Sequence, residues 1–157
     1  MERVSKHNYY LDIAQTVAER ATCLRKKYGS IIVKNDVIVS TGYNGSPRGR
    51  KNCSDINFCM RDKLQIPRGE RYEMCRSVHA EQNAIIQAAK LGVSIDGATL
   101  YCTHQPCSVC ARMIINAGIK GVLNFTSAPL NFPQGIVVEN YDITTLLEKV
   151  AYFVKVA

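Results

Sequence analysis

The sequence lacks tryptophan, and aromatic residues make up only 8% of its 157 residues. No apolar run approaches the ~20 residues that a membrane-spanning helix needs, and the first residues are polar and of mixed charge, unlike a signal peptide. These absences predict a cytoplasmic protein without a membrane segment. In that compartment the seven cysteines are expected to be reduced thiols or metal ligands rather than disulfides.

Internal repeats, low-complexity tracts and domain linkers are also missing. The composition is 46% hydrophobic and 21% charged, which is typical of a globular protein rather than a disordered one. A chain of this length can bury a hydrophobic core of its own. We therefore predict a single domain over residues 1–157, with an irregular, cysteine-bearing insertion at about 46–76.

The net charge of +7 predicts an anionic partner. Basic surfaces attract nucleic acids and small phosphorylated molecules alike. The aromatic residues are not interleaved with the basic ones, so no stacking surface for single-stranded nucleic acid is evident. The charge therefore favours a nucleotide as substrate or effector over a nucleic acid polymer.

Two short segments place metal-ligand residue types at predicted helix starts. Ser77 is a good N-cap residue, and His79 follows it directly before a helical pattern. Cys107 and Cys110 follow a proline and are three residues apart, so both sulfurs lie on one face of the first helical turn. Thiolates are favoured at helix N-termini. One imidazole and two thiolates suit zinc, with the fourth position left for water.

Glu81 lies two residues after His79, where its carboxylate would reach a zinc-bound water without ligating the metal. Other interpretations stay open. A Cys-x-x-Cys pair is also typical of redox sites and of half a structural zinc site, and an acid in the first turn also favours the helix dipole. The combination of both segments favours a catalytic zinc.

The insertion at 46–76 is long, basic and rich in glycine and proline, so we expect it to be functional or anchored. It contains Cys53, Cys59 and Cys75, and Cys23 lies in the last turns of the first predicted helix. Four soft ligands would bind a structural zinc and fix the insertion. The alternative is four unconnected thiols.

Hydrophobic periodicity predicts the remaining elements. They are helices at about 5–27, 78–91 and 107–117, strands at 31–33, 37–39, 99–103, 121–125 and 136–138, and a helix from Asp142. The segment 42–45 is expected to be a turn that uses the freedom of its two glycines. Alternating strands and helices predict a three-layer α/β/α sandwich around one mixed sheet of about five strands.

With these residues in hand, the chain resembles the deoxycytidylate (dCMP) deaminases of the cytidine-deaminase-like superfamily. The resemblance covers about residues 18–121, and its pieces are residues 21–25, 29–33, 42–45, 78–85 and 106–110. The metal motif is common to all these deaminases. The Gly-Tyr-Asn-Gly segment and the cysteine-bearing insertion indicate the dCMP branch.

The resemblance implies roles for seven residues: His79, Cys107 and Cys110 as zinc ligands, Glu81 as proton shuttle, Asn44 as sugar contact, and Arg25 and Lys27 as contacts of the 5′-phosphate. Other interpretations remain for two of them. Asn44 between two glycines is also typical of a left-handed turn residue, and Arg25 also suits a helix C-terminus as a dipole-complementing cation.

The resemblance also implies the reaction, which is hydrolytic deamination of dCMP to dUMP and ammonia, feeding dTMP synthesis. Relatives are typically hexamers, activated by dCTP and inhibited by dTTP, and a nucleotide effector would bring Mg²⁺. The sequence departs from many relatives within the loop 126–135, where residues 127–130 read Ser-Ala-Pro-Leu instead of carrying a Tyr-Arg pair. The alternatives are a deaminase of another base (tRNA adenosine, guanine or cytidine) and a non-enzymatic zinc module that binds nucleic acid, which would not need Glu81.

Overall fold

The computed structural model describes residues 3–125 and 134–140. The strands are β1 (Gly29–Lys34), β2 (Val37–Tyr43), β3 (Thr99–Cys102), β4 (Gly121–Asn124) and β5 (Val137–Asn140). The helices are α1 (Lys6–Ala18), α2 (Cys53–Ile56), α3 (Met60–Lys63), α4 (Ala80–Lys90) and α5 (Ser108–Asn116), with a 3-10 helix at Tyr72–Met74. None of the helices in these two ranges combines the length and the hydropathy that a membrane crossing requires.

The five strands form one mixed sheet in the order β2-β1-β3-β4-β5. β1 is antiparallel to both of its neighbours, whereas β3, β4 and β5 are parallel. The tight turn between β1 and β2 contains Asn35 and Asp36, both with positive φ, as a two-residue hairpin turn of this kind requires. The predicted hairpin and the predicted mixed sheet of about five strands are confirmed.

Helices cover both faces of the sheet. Side chains alternate along a strand, so neighbours in sequence enter different cores. One core contains side chains of α1 together with Ile31, Val33, Tyr101 and Leu123. The other contains side chains of α4 and α5 together with Ile32, Leu100, Cys102 and Val122. This is the predicted three-layer sandwich, and Cys102 is buried in it as a small apolar residue.

The first helix is shorter than predicted, and the expectation of helix from 19 to 27 is wrong. α1 ends at Ala18, and Cys23 therefore lies in a loop rather than on a helix. The N–H groups of residues 19–21 still bond to carbonyls of α1, but from residue 22 on the loop is bonded to the end of β2. The N–H of Thr22 donates to the carbonyl of Asn44, for example. Tertiary hydrogen bonds thus replace the helical ones that the periodicity suggested.

The expected turn at 42–45 is also wrong, because β2 continues as a strand to Tyr43. Neither Gly42 nor Gly45 has a positive φ. A Cβ atom at Gly42 would lie 2.2 Å from the carbonyl oxygen of Ala80. Gly42 is required because α4 packs directly on the strand backbone, not because the chain turns there.

Residues 46–76 connect β2 to α4 and contain α2, α3 and the 3-10 helix. Residue 125 ends the first described range, so the departure at 127–130 lies outside the described residues. The same holds for the helix predicted from Asp142 and for the C-terminal tail.

Candidate active site

The N-termini of α4 and α5 bring together the three predicted metal ligands. α4 begins at Ala80 with His79 as its N-cap, and α5 begins at Ser108 with Cys107 as its N-cap. The predicted N-cap, Ser77, is therefore wrong. Residues just before α4 are held extended by two backbone hydrogen bonds between Val78 and Gly45, which delays the helix start to residue 80.

The donor atoms of the triad have the spacing of a zinc site. Nδ1 of His79 lies 3.4 Å from Sγ of Cys107 and 3.4 Å from Sγ of Cys110, and all three donors lie within 4.8 Å of one another. Ligands at normal Zn–S and Zn–N bond lengths in a tetrahedron are about 3.6 Å apart. The nitrogen and sulfur donors thus fit zinc in chemistry and in distance.

Hydrogen bonds within the triad favour one thiolate. A hydrogen bond from Cys110, supported by one from His79, lowers the pKa of Cys107 to about 4. The same bond and burial raise the pKa of Cys110, and the bond to Cys107 raises the pKa of His79. The backbone N–H of Cys110 also points at Sγ of Cys107, as expected for an anion at a helix start.

Glu81 lies in the first turn of α4 and is only 7% exposed. Burial raises the pKa of its carboxyl group, opposed by its own backbone N–H and by the nearby His79, and it also lies within hydrogen-bonding reach of Cys110. Glu81 is therefore not a solvated acid, and its place in the first turn of α4 is also favoured by the helix dipole. A buried carboxyl group with a raised pKa beside three metal-ligand side chains is suited to carry a proton.

A cavity of about 810 Å³ opens next to the triad. Its lining includes His79, Glu81 and Cys107, and it is large enough for a nucleotide-sized ligand. The charged lining residues are the cations Arg25, Lys26, Arg61, Arg68 and Arg76 and the acids Asp62 and Glu81. This excess of positive charge favours an anionic ligand.

The two cationic residues predicted to bind phosphate differ in their placement. Arg25 lines the cavity, with its Nε 3.3 Å from a carboxylate oxygen of Asp62. Lys27 is not part of the lining, whereas its neighbour Lys26 is. Arg68 also lines the cavity and was missed, because nothing in the irregular segment 46–76 indicates which of its many basic residues face inward.

A ring pair beside these cations was missed as well. The rings of Tyr28 and His104 are stacked with centroids 5.1 Å apart and planes 11° apart, and both residues line the cavity. Burial lowers the pKa of His104, and the positive charges of Arg68 and Lys26 lower it further. His104 is thus held as a neutral ring. The pair is 76 residues apart in sequence, so no local pattern indicated it.

Asn44 lines the cavity, is 4% exposed and does not adopt a left-handed backbone conformation, so that alternative is wrong. Its Oδ1 accepts from the N–H of Tyr28 at 2.7 Å, and its Nδ2 donates to the carbonyl of Lys26 at 2.8 Å. The side chain thereby fixes the loop that carries Arg25, Lys26 and Tyr28. One amide hydrogen and one lone pair remain for a ligand.

The four cysteines of the predicted second site surround part of the same cavity. Cys53 is buried and lies within electrostatic range of Cys23, Cys59 and Cys75. Burial raises the pKa of Cys53. Among the described residues, however, these sulfurs do not reach the 4.8 Å mutual spacing of the His79 triad. The structure gathers the four thiols without placing them at ligand distances.

Comparison with known proteins gives consistent matches. The family model described as the cytidine and deoxycytidylate deaminase zinc-binding region matches residues 4–126. ComE operon protein 2 of Bacillus subtilis (strain 168) is 41% identical over 122 residues, which are 78% of this chain and 60% of that protein. Deoxycytidylate deaminase of Enterobacteria phage T4 is 34% identical, with 82% of this chain and 81% of the phage protein covered.

A solved structure matches over a similar extent. The crystal structure of dCMP deaminase from the cyanophage S-TIM5 in complex with dCMP and dUMP has a TM-score of 0.66 and 30% sequence identity. The match covers 89% of this chain and 99% of the cyanophage chain.

Proposed function

This chain belongs to the cytidine and deoxycytidylate deaminase family, and from that membership we propose that it hydrolyses dCMP to dUMP and ammonia. One observation carries the proposal: a buried Glu81 beside the triad of His79, Cys107 and Cys110 lines a cavity with excess positive charge. The solved complex of the cyanophage relative with dCMP and dUMP supports the choice of substrate.

The triad would hold a zinc ion, which when bound supplies hydroxide at neutral pH by lowering the pKa of water. Glu81 would accept the proton of the attacking water and deliver it to N3 of the cytosine ring as oxygen adds at C4. The resulting carboxylate would then take the remaining proton from the oxygen at C4 and pass it to the amino group, so that the C4=O bond forms as the C4–N bond breaks and ammonia leaves. The burial of Glu81 keeps its carboxyl group out of bulk water, so that each proton is passed between defined atoms.

The cations of the cavity would bind the 5′-phosphate. Arg25 is already paired with Asp62, whereas Lys26 and Arg68 lie on the lining beside the stacked rings of Tyr28 and His104. We therefore propose that Lys26 and Arg68 join Arg25 in phosphate binding. The contribution of Lys27, which the family resemblance implies, would be to the electrostatic field around the cavity rather than to contact.

The remaining amide hydrogen and lone pair of Asn44 are proposed to contact the sugar. This role is compatible with the bonds that Asn44 makes to the loop, because each polar atom of an amide side chain can form two hydrogen bonds.

Ammonia release tests the proposed reaction. Zinc-loaded protein is assayed with dCMP, cytidine, CMP, guanine and a short RNA that contains adenosine. We expect turnover of dCMP, with a kcat/KM at least ~100-fold above that of cytidine, since a charge-assisted phosphate contact contributes about 3 kcal/mol.

Equal activity on cytidine would contradict the phosphate site. Preference for the RNA or for guanine would assign the enzyme to another base. No turnover, with salt-dependent RNA binding, would favour a non-enzymatic zinc module.

We propose a second, structural zinc at Cys23, Cys53, Cys59 and Cys75. Support comes from four soft donors around one end of the cavity, although their side chains would have to rotate to bring the sulfurs to tetrahedral spacing. Purified protein should then contain about two zinc ions per chain, and Cys53→Ser should lose one of them while ammonia release per remaining zinc is retained. A ratio near one for the wild type would contradict this second site.

The finer features that the family implies are also proposals for this chain. They are activation by dCTP with Mg²⁺, inhibition by dTTP, a hexameric assembly and a place in the supply of dTMP. Rates measured at low dCMP with and without each triphosphate, together with the mass of the protein in solution, test the first three. A monomer with rates insensitive to both triphosphates would contradict them.

A further inference from the structure

The imidazole of His79 is held by contacts on two sides. Nδ1 faces the two sulfurs. A ligating histidine normally donates its other ring N–H to a carboxylate, a carbonyl or water, which fixes the ring plane. In residues 3–125 and 134–140, the hydrogen bonds of the His79 ring go only to Cys107 and Cys110. The ring also has an aromatic contact that restricts its plane.

That contact is the ring of Tyr72. The centroids of the Tyr72 and His79 rings are 4.9 Å apart, and the planes stand at 89°, which is the attractive edge-to-face arrangement of aromatic rings. Tyr72 lies in the short 3-10 helix at the end of the irregular segment and lines the cavity. The segment between β2 and α4 thus contacts the metal centre through an aromatic ring.

Tyr72 is held in turn by Arg61. The guanidinium carbon of Arg61 lies 4.8 Å from the centroid of the Tyr72 ring, a cation–π contact. One guanidinium nitrogen donates to the carbonyls of Pro67 at 2.8 Å and Glu70 at 2.7 Å. These bonds fold the chain between Arg61 and Tyr72 back on itself.

Arg61 is unusual among the cations of the cavity. It is only 7% exposed and has no carboxylate partner among the described residues, where the ion pairs involve other residues. Its Nε has no hydrogen-bond partner in that part of the chain. Burying a cation without an anion is costly, so a residue placed this way must be compensated by the carbonyls and the ring it contacts. A chain of contacts thus runs from the carbonyls of Pro67 and Glu70 to Arg61, from Arg61 to the ring of Tyr72, and from that ring to His79.

We propose that Arg61 and Tyr72 are positioning residues of the metal centre. Tyr72 restricts the plane of the His79 imidazole through edge-to-face packing, and Arg61 sets the position of Tyr72. This inference rests on the zinc site proposed above. It gives the segment 46–76 a function beyond connecting β2 to α4, because its fold then determines how tightly the metal is held.

Metal affinity tests the proposal directly. In a Cys53→Ser background, which lacks the proposed second zinc, competition with a chromogenic chelator gives the zinc affinity of the triad, and the visible spectrum of the cobalt-substituted protein reports the geometry of its ligands. Loss of a partner that orients a ligand typically weakens metal binding by about 10- to 100-fold. We expect Tyr72→Ala to lower the zinc affinity by about tenfold or more and to change the cobalt spectrum. Arg61→Lys should lower the zinc affinity less. Tyr72→Phe keeps the ring and should have near wild-type zinc affinity.

Phe58→Ala is the matched control. Phe58 is an aromatic residue of the same segment with the Nζ of Lys63 5.6 Å from its ring centroid, but it does not line the cavity. Its replacement should lower the melting temperature without changing zinc affinity or the cobalt spectrum.

Three results would overturn the proposal. They are unchanged zinc affinity in Tyr72→Ala, an equal loss in Phe58→Ala, and a loss in Tyr72→Phe as large as in Tyr72→Ala. If Tyr72→Ala does not fold, Tyr72→Leu and Arg61→Lys decide by the same criteria. A wild-type chain that binds no zinc would instead contradict the proposed function itself, so the two failures are distinguishable.

Discussion

Replacing Gly42 by alanine should lower turnover strongly in a chain that still folds. A Cβ at this position would lie 2.2 Å from the carbonyl oxygen of Ala80 and 2.4 Å from the backbone nitrogen of Ala84. Ordinary Cβ contacts begin near 3.4 Å, so the start of α4 must move by about 1 Å. His79 and Glu81 move with it, and a misplacement of ~1 Å costs about 100-fold in rate. Overpacking of this kind costs about 1–3 kcal/mol of stability.

Gly29→Ala is the comparison variant: Gly29 also lines the cavity, but the helix that its Cβ would meet lies on the opposite face of the sheet. A Cβ there would lie 2.1 Å from the carbonyl oxygen of Ala14 in α1, which carries none of the triad. We expect a similar loss of stability, measured by urea unfolding, but a loss of kcat for dCMP about tenfold smaller. Wild-type kcat in Gly42→Ala, or equal losses in both variants, would refute the view that the close approach of α4 to β2 positions the site.

Two further substitutions test the cavity wall. Asn44→Ala should cost about 2 kcal/mol in urea unfolding and raise KM for dCMP, because the N–H of Tyr28 and the carbonyl of Lys26 lose their partners. Asn83→Ala removes a hydrogen bond that is more exposed to solvent and should cost less than about 1 kcal/mol. Equal costs for the two variants would contradict the role of Asn44 in fixing the loop. The pKa of His104 is lowered in the folded chain, so below pH ~6.5 the unfolded chain binds more protons than the folded chain does. The contribution of His104 to stability therefore falls as the pH drops below about 6.5. His104→Gln should therefore weaken the rise in stability between about pH 5 and about pH 7.5, and an unchanged slope would contradict the half-buried neutral ring.

Most of the fold follows from local signals in the sequence. The β-branched runs flanking Asn35 and Asp36 form the predicted hairpin, and the helix predicted to end at about residue 91 ends at Lys90, just before Gly92 with its positive φ. The errors occur where tertiary bonds outweigh local propensity. Periodicity continued the first helix to 27, but the loop after Ala18 is bonded to the end of β2. These are contacts between distant residues, which a periodic pattern does not contain.

The residues of the candidate site likewise fall into two groups, those that local sequence predicts and those that depend on contacts between distant residues. His79, Cys107 and Cys110 were predictable because each ligand lies next to a helix start, a local feature with a known preference for anions and metals. The stacking of Tyr28 on His104 was not predictable, because it joins the loop after α1 to the loop after β3. The positions of the lining cations Arg61, Arg68 and Arg76 depend likewise on how the segment 46–76 folds back.

The central claim is that a buried carboxylate moves protons beside a zinc held by the triad, and Glu81→Gln tests it most directly. The amide has nearly the shape of the carboxyl group but cannot shuttle a proton. The variant should retain zinc at the triad, and its rate of ammonia release from dCMP at saturation should fall by about 100-fold or more. A zinc-loaded Glu81→Gln protein that deaminates dCMP at the wild-type rate would contradict the account.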